Sequence, residues 1–356
     1  MRAGVEFSPE SFREDVRTLG ATTSNEMRSK NTIVITTINQ PTEAVKKIAR
    51  TCQEWTFLVV GDKKTPADWQ YPDVEYLSAA EQLQMGSFAA ECPFNHYARK
   101  NVGYLWAAAR GAEIIAETDD DNIPYDTFLK NIGRAVSGRA VRKTGWENVY
   151  THFTPNKIWP RGFPLEMITE SLAHPSKLSE TQVFDCPVQQ YLADGDPDVD
   201  AVYRMTIVAE TKFQPNTVVL EPGTYCPFNS QNTIFWRDAF PLLYLPAYVS
   251  FRMTDIWRSF VAQACLYAMG KSLAFREATV LQERNEHSLI KDFRDEVPGY
   301  LNNVRIVEIL SGLTLSAGAD RVADNVRTCY EALVRAEIVP AREMPLLELW
   351  LRELKR

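Results

Sequence analysis

Short apolar runs alternate with stretches of helical periodicity along the first third of the chain. Thr32 to Ile38 and Phe57 to Val60 are runs typical of strands buried on both faces, and Glu113 to Ala116 predicts a third strand. The segments from Pro41 to Arg50 and from Tyr97 to Arg110 carry apolar residues at helical spacing. This alternation predicts an α/β fold with a mostly parallel, Rossmann-like sheet and helices on both faces.

The pattern changes beyond about residue 140, where proline, aromatic residues and short strand-like pieces become frequent. From Thr254 onward helical periodicity returns and predicts helices over 254–269, about 300–311, 320–336 and 343–354. We therefore expect three parts. They are a loosely ordered N-terminal arm (1–30), an α/β domain (31–295, with halves of about 31–140 and 141–295) and a C-terminal helical region (296–356).

Composition narrows the class of protein. The 356 residues are 45% hydrophobic and 24% charged, as in an ordinary globular protein, and the net charge of −7 argues against a nucleic-acid binder. Six cysteines without a CxxC pair indicate reduced thiols. Since we find neither a membrane-spanning run nor a secretory signal, we expect a cytoplasmic location, with contact to the inner face of the membrane as an option.

An acidic triplet, Asp119-Asp120-Asp121, follows the third predicted strand, and Asp62 follows the second. Ligands of such sheets bind outside the carboxyl ends of the strands, and Mg²⁺ or Mn²⁺ would offset the repulsion between converging carboxylates. The alternative is a helix N-terminus at Asn122 and Pro124, where aspartates favour the helix dipole.

Two cations begin the helix that precedes the triplet. Arg99 and Lys100 oppose the dipole of its first turn, and an anion held between them and the free N–H groups would remove that conflict. A diphosphate fits this position. Alternatively, both side chains point into water.

An ordered set of unusual segments resembles one known family, the STELLO-type glycosyltransferases, which have a GT-A fold. The segments span about residues 30–295 and are TPADWQYPDVEYLSAAEQ, HYARKNVGYLWAAARGAEIIAETDDDN, NVYTHFTPNKIWPRGFPLE, GDPDVDAVYRMT, NSQNTIFWRDAFPLLYLPAYVSFRMTDIWRSFVAQ and QERNEHSLIKDF. The resemblance implies a nucleotide-sugar donor, bound by the half at 31–140, and an acceptor bound by the half at 141–295. It also implies a divalent metal, Mn²⁺ or Mg²⁺.

Carried onto this sequence, the resemblance makes Asp119 and Asp121 the DXD pair that binds the metal. It places Asp120 and Asp62 against the ribose or base, and Thr36 and Thr37 near the base. His287 would be a third metal ligand from the C-terminal side, although a single histidine is more often an ordinary surface or core residue.

Transfer of a glycosyl group needs a base for the acceptor hydroxyl. Our candidate is Asp255, because the related inverting enzymes place an aspartate at the start of a helix, often followed by an arginine, here Arg258. The alternative is that Thr254 caps this helix and Asp255 only complements its dipole.

A second acidic cluster consists of Asp194, Asp196, Asp198 and Asp200. It lacks the glycine and glutamate of a calcium-binding EF-hand loop, so we expect a solvated loop, or else a substrate contact from Asp200. Trp159, Arg161 and Trp236 would contact sugar rings or belong to the core.

The sequence thus predicts a metal-dependent, inverting glycosyltransferase, with a UDP-sugar donor favoured and a glycan or lipid-linked glycoconjugate acceptor, as in polysaccharide biosynthesis. Alternatives are a sugar nucleotidyltransferase, disfavoured because TTINQPTEAVKK lacks a glycine-rich phosphate loop, and a non-catalytic nucleotide-binding scaffold. The last helix carries Leu346, Leu349 and Trp350 on one face. We expect this face to dock on its own domain, with a homodimer contact or a membrane-surface contact as alternatives.

Overall fold

A mixed sheet of eleven strands forms the centre of the protein in the computed structural model, which describes residues 30–207, 209–283 and 288–355. Two further strands, β7 and β11, form a small separate sheet. The strands are β1 (Asn31–Thr37), β2 (Thr56–Gly61), β3 (Glu75–Leu77), β4 (Ile114–Thr118), β5 (Asn122–Pro124), β6 (Ala135–Val141), β7 (Gly145–Trp146), β8 (Thr181–Asp185), β9 (Val188–Gly195), β10 (Thr217–Leu220), β11 (Thr224–Tyr225), β12 (Asn232–Trp236) and β13 (Leu273–Gln282).

The first half of the sheet is parallel and has the order β3-β2-β1-β4. The carboxyl ends of these strands therefore meet at one edge. Antiparallel β12 continues the sheet beside β4, and the remaining strands combine parallel and antiparallel pairs. Helices cover both faces, so the predicted α/β fold class, with a parallel half-sheet and C-terminal helices, is confirmed.

Ten α-helices accompany the strands in the described residues: α1 (Glu43–Thr51), α2 (Ala79–Gln82), α3 (Ser87–Glu91), α4 (Lys100–Ala109), α5 (Ile168–Ala173), α6 (Ala201–Thr206), α7 (Thr254–Ala268), α8 (Leu289–Ser311), α9 (Val322–Arg335) and α10 (Glu343–Leu354). Short 3₁₀ helices cover Tyr97–Arg99, Val149–His152, Leu165–Met167, Arg237–Leu243, Phe251–Met253 and Ala319–Arg321.

Alternating side chains of β1 separate two hydrophobic cores. Ile33 and Ile35 pack in the core beneath α1, whereas Val34 packs in the larger core that contains α4 and the C-terminal helices. All three side chains are fully buried. A strand buried on both faces cannot show a polar alternation, which is why β1 reads as a continuous apolar run.

The long helix α8 corrects one predicted boundary. We expected a helix from about residue 300 and a domain boundary after residue 295, but α8 runs without interruption from Leu289 to Ser311. Pro298 lies inside this helix. Gly299 allows close packing, because a Cβ atom there would lie 2.1 Å from the sulfur of Met253.

The last helix, α10, is docked on its own domain. Leu346 and Trp350 are buried, and the ring of Trp350 lies 5.9 Å from those of Phe88 and Tyr244. The carboxylate of Glu343 accepts the hydroxyl proton of Tyr244 and two backbone N–H groups. The apolar face of α10 is therefore occupied, which contradicts its use as a membrane or dimer contact.

No helix in the described ranges is both long enough and apolar enough to span a bilayer. The cytoplasmic location stays a prediction.

Candidate functional site

The acidic triplet lies at the carboxyl edge of the parallel half-sheet, directly after β4. Asn122 to Pro124, which could have begun a helix, instead form β5 and pair in antiparallel fashion with the end of β13. The helix-terminus alternative for the triplet is therefore wrong. Each of the three carboxylates meets a different set of partners.

Asp119 is held by a buried cation. Its Oδ1 accepts the hydroxyl proton of Tyr97 at 2.6 Å and a proton from the Nζ of Lys100 at 2.8 Å. Lys100 is 0% exposed, and its Nζ also donates to the Thr118 carbonyl at 2.7 Å and the Ser230 carbonyl at 3.3 Å. The diphosphate contact of Lys100 stays a prediction, because the ammonium group of Lys100 already pairs with Asp119.

Asp120 is held by neutral donors at the end of β1. Its Oδ2 accepts protons from the Thr37 hydroxyl at 2.5 Å and the Asn39 amide at 3.0 Å. Its backbone carbonyl accepts the hydroxyl proton of Thr42, which also caps α1. Burial nevertheless raises the pKa of Asp120. Asp120 therefore fixes the geometry between β1, α1 and β4.

Asp121 has the fewest hydrogen-bond donors and counter-charges around its carboxylate of the three aspartates. Among the described residues, its buried Oδ1 has no hydrogen-bond partner, and its Oδ2 lies 3.5 Å from the side-chain nitrogen of Gln282. Burial, together with the charges of Asp119 and Asp120, raises the pKa of Asp121 to about 7. A buried carboxylate oxygen without a donor costs free energy unless a proton or a cation binds it.

Asp62 and Thr36 complete the carboxyl edge. Asp62 follows β2, and its Oδ1 accepts the backbone protons of Lys63 at 2.6 Å and Asn95 at 2.8 Å. Thr36 is half-buried near the end of β1 and alternates with Thr37 along the strand. The structure thus brings Thr36, Thr37 and Asp62 to the same edge as the triplet.

Arg99 does not share the site with Lys100. Its guanidinium donates to the side chain of Gln82 and to the carbonyls of Ala89 at 2.7 Å and Cys92 at 2.9 Å. The side chain is buried, and it stacks over Phe94. The structure thus does not support the predicted phosphate contact of Arg99, because its buried guanidinium binds Gln82 of α2 and the carbonyls at the end of α3.

Asp255 lies in a buried ion pair. Its two oxygens accept protons from the guanidinium of Arg161 at 3.1 and 3.0 Å, and the other edge of this guanidinium binds Asp198. Burial by itself would raise the pKa of Asp255, but Arg161 outweighs it and holds the pKa below the usual range. Thr254 makes no cap, so that part of the alternative is wrong, but Asp255 does lie in the first turn of α7, as the alternative has it.

A hydrogen-bonded chain joins Asp255 to the triplet. The Ser230 hydroxyl lies 3.3 Å from Asp255 Oδ2 and 2.7 Å from the Tyr97 hydroxyl, which donates to Asp119. Arg258, which we expected to accompany Asp255, instead forms a fully buried ion pair with Glu117 of β4.

The second acidic cluster is not a solvated loop. Asp194 and Asp200 are buried, Asp196 pairs with Arg204, and Asp198 pairs with Arg161. The carboxylate of Asp200 caps α6 and accepts the indole proton of Trp159.

These contacts also correct two predicted sugar contacts. Trp159 and Arg161 are buried in the same network as the acidic cluster, so the core alternative holds for both. Trp236 is half-buried against the core beneath α1.

Sequence reasoning missed Tyr97, Ser230 and Phe251 as site residues. Tyr97 lies in the segment HYARK, but nothing in its spacing distinguishes it from a core aromatic residue. Phe251 is 53% exposed, and its ring lies 5.9 Å from that of Tyr97 and 6.0 Å from that of His96. An exposed aromatic ring thus stands beside the residue that binds Asp119.

The predicted third metal ligand, His287, lies outside the described residues. Within them, no group of three or more His, Cys, Asp or Glu side chains is arranged to hold a metal ion. Any cation at the triplet would therefore need further ligands from a substrate or from water.

Comparison with known proteins relates the chain to glycosyltransferases. Residues 252–356 match the family model of the STELLO glycosyltransferases. The chain is 30% identical over 306 residues to the probable glycosyltransferase STELLO2 of Arabidopsis thaliana, which covers 80% of this chain and 39% of that protein. For STELLO1 of the same plant the values are 29% over 299 residues, 78% and 38%.

The predicted resemblance to the STELLO-type glycosyltransferases is thereby confirmed. This chain spans about two fifths of the length of these relatives. Among solved structures, a mycobacterial protein (TM-score 0.40, 9% identity, 86% of this chain and 80% of that chain) and M. tuberculosis glucosyl-3-phosphoglycerate synthase (0.38, 9%, 84% and 86%) are too distant to inform function.

Replacement of Lys100 by methionine tests the buried cation. Lys100→Met removes the charge beside Asp119 and leaves the carbonyls of Thr118 and Ser230 short of a donor. We expect a loss of about 3 kcal/mol in the free energy of unfolding, measured by urea titration. Lys46→Met removes an exposed ion pair with Glu43 and serves as control, with an expected loss below about 0.5 kcal/mol. Equal losses in both variants would contradict the role of Lys100.

Proposed function

We propose that this chain is a metal-dependent glycosyltransferase that binds a nucleotide-diphosphate sugar at the carboxyl edge of the parallel half-sheet. The relation to the STELLO glycosyltransferases supports the reaction class. The observation that carries the site assignment is the buried, unpartnered Oδ1 of Asp121 beside two further carboxylates. Because the matching relatives are much longer than this chain, the activity is inferred from these residues.

The residues present fit a divalent cation. Asp121 would supply Oδ1, and Asp119 would supply its second oxygen, since Tyr97 and Lys100 occupy the first. Mn²⁺ or Mg²⁺ typically adds substrate phosphates and water to one or two carboxylates. Such an ion would offset charge on the departing nucleotide diphosphate.

The nucleoside would lie over the ends of β1 and β2, against Thr36, Thr37, Asp62 and Asp120. Carboxylates at such an edge accept hydrogen bonds from ribose hydroxyls. We favour uridine, because uridine donors are the commonest in this fold.

The acceptor would approach from the side of Phe251. Its half-exposed ring offers an apolar surface on which the C–H face of a sugar ring can stack, next to Tyr97 and Asp119. A glycan or a lipid-linked glycoconjugate has the required chemistry.

Cation binding should depend on pH and on Asp121. Because the pKa of Asp121 is raised to about 7, its carboxyl group is mostly protonated at about pH 6 and mostly ionised at about pH 8. A cation must therefore displace a proton at the lower pH, which weakens its binding. Mn²⁺ affinity, measured by electron paramagnetic resonance on the protein alone, should therefore rise over this range.

Asp121→Asn should weaken Mn²⁺ binding by at least about tenfold and remove the pH dependence. Asp126→Asn makes the same charge change at an exposed position and should leave both properties unaltered. Wild-type affinity that equals that of Asp121→Asn at both pH values would refute the cation site.

The role of Asp255 as general base can be separated from a structural role. A low pKa disfavours a base, yet the acceptor hydroxyl becomes more acidic as the new bond forms, and we retain Asp255 as the candidate. Asp255→Asn should lower donor hydrolysis about 10²–10⁴-fold while nucleotide affinity stays near normal. Asp198→Asn removes the other carboxylate bound to Arg161 and is the matched control.

A similar rate loss in the Asp198 and Asp255 variants would show that the ion pair of Arg161, rather than proton transfer, limits the reaction. Near wild-type hydrolysis by Asp255→Asn would exclude the base assignment altogether.

The reaction should invert the anomeric centre. A single carboxylate on the acceptor side suits one in-line displacement, whereas retention needs a nucleophile beneath the sugar. With water as acceptor, an α-linked donor should release nucleoside diphosphate and, before mutarotation, the β-sugar, both visible by NMR.

An initial α-sugar would refute inversion. A nucleotidyltransferase, in contrast, would release no diphosphate and would form nucleoside triphosphate when pyrophosphate is added.

A further inference from the structure

The outward face of α8 carries an apolar stripe. Ile290, Phe293, Val297 and Leu301 are spaced by three, four and four residues and therefore share one side of the helix. Ile290 is 71%, Phe293 38% and Leu301 74% exposed. The buried side of the helix is formed by other residues: Asp292, Glu296, Gly299, Asn303, Ile306, Val307 and Leu310.

This concentration of apolar surface is unusual within the described residues. Single exposed apolar side chains are common on protein surfaces, whereas a contiguous group indicates a binding surface. Three of the eight large apolar side chains that are exposed in the described ranges lie on this one helix face, within twelve residues. The other five come from five separate places in the chain.

Basic side chains flank the stripe. Lys291, Arg294 and Arg305 are exposed and, by helical position, all lie on the same side of it. Arg294 also pairs with its neighbour Asp295 at 2.9 Å, and Glu308, an exposed acid, lies on the stripe's side of the helix, seven residues after Leu301. The exposed charged side chains of α8 are therefore three cations and one acid, and this excess of positive charge favours an anionic partner.

Helix α8 itself is linked to the candidate site. The Ser250 hydroxyl donates to the carbonyl of Asp295 in α8, and the next residue, Phe251, packs against Tyr97. β13, which precedes α8 in the chain, ends at Gln282 beside Asp121.

We propose that the apolar stripe of α8 and its basic flank form a peripheral binding surface for membranes with anionic lipid head groups. The apolar side chains would enter the boundary between head groups and acyl chains, and the three cations would meet lipid phosphates. This assignment does not depend on the proposed glycosyl transfer. It replaces α10, whose apolar face is buried, as the membrane contact.

Co-sedimentation of the full chain with lipid vesicles tests this surface. We expect binding to vesicles in which about a third of the phosphatidylcholine is replaced by phosphatidylglycerol, and much weaker binding to phosphatidylcholine alone. An increase from about 0.1 M to about 1 M salt should weaken binding, because the Debye length falls from about 10 Å to about 3 Å and the charges are then screened. Each of Ile290→Ser and Leu301→Ser should lower the partition coefficient about tenfold.

Val183→Ser is the matched control, since Val183 is 73% exposed on β8, far along the sheet from α8. It should bind vesicles like the wild type, with equal thermal stability in all variants. Absence of wild-type binding to anionic vesicles would overturn the proposal, as would equal losses in Val183→Ser. A third outcome would also overturn it: the wild type is an oligomer by light scattering, and Ile290→Ser and Leu301→Ser dissociate it without changing vesicle binding. The face would then be a protein interface.

Discussion

Repulsion between three adjacent carboxylates is the constraint around which the edge of the sheet is organised. Asp119 is balanced by a fully buried lysine, and Asp120 by a hydroxyl and an amide from the end of β1. Among the described residues Asp121 has no comparable partner, so its pKa is raised and one of its oxygens accepts no hydrogen bond. The protein thus gives Asp119 a counter-charge and Asp120 hydrogen-bond donors, and leaves Asp121 to bind a proton or a cation.

The same constraint explains the buried polar network around the triplet. A carboxylate, two carbonyls and a tyrosine hydroxyl surround the buried ammonium group of Lys100 and replace its contacts with water. Tyr97 and Ser230 extend this network to Asp255, whose own charge is met by Arg161. A continuous chain of hydrogen bonds therefore connects Asp119, on the donor side of the proposed site, with Asp255, on the acceptor side.

Local sequence patterns predicted the elements that form the site but not the direction of its side chains. The apolar runs of β1, β2 and β4 and the alternation with α1 and α4 were sufficient to place Thr37, Asp62 and the triplet at one edge. Arg99 and Lys100 show where such reasoning ends, because adjacent residues on one helix turn point in different directions. Arg99 donates to a carbonyl of α3, and Lys100 donates to Asp119.

Long-range pairing was equally hidden from the sequence. The ion pairs of Arg161 with Asp198 and Asp255 join residues 37 and 94 positions apart. The spacing of residues along the sequence does not indicate such a contact. An acidic run such as DGDPDVD therefore looks like a solvated loop as long as its ion-pair partners are unknown. The continuation of α8 through Pro298 depended likewise on tertiary packing, through the contact between Gly299 and Met253.

The central claim is that the carboxyl edge binds a nucleotide diphosphate together with a divalent ion. Calorimetric titration of the wild-type chain with UDP and with GDP, in Mn²⁺ and then in EDTA, tests it most directly. The account predicts clear binding of at least one nucleotide with Mn²⁺ and a loss of at least about tenfold in affinity with EDTA. Equal affinity under both conditions, or no binding of either nucleotide with Mn²⁺, would contradict it.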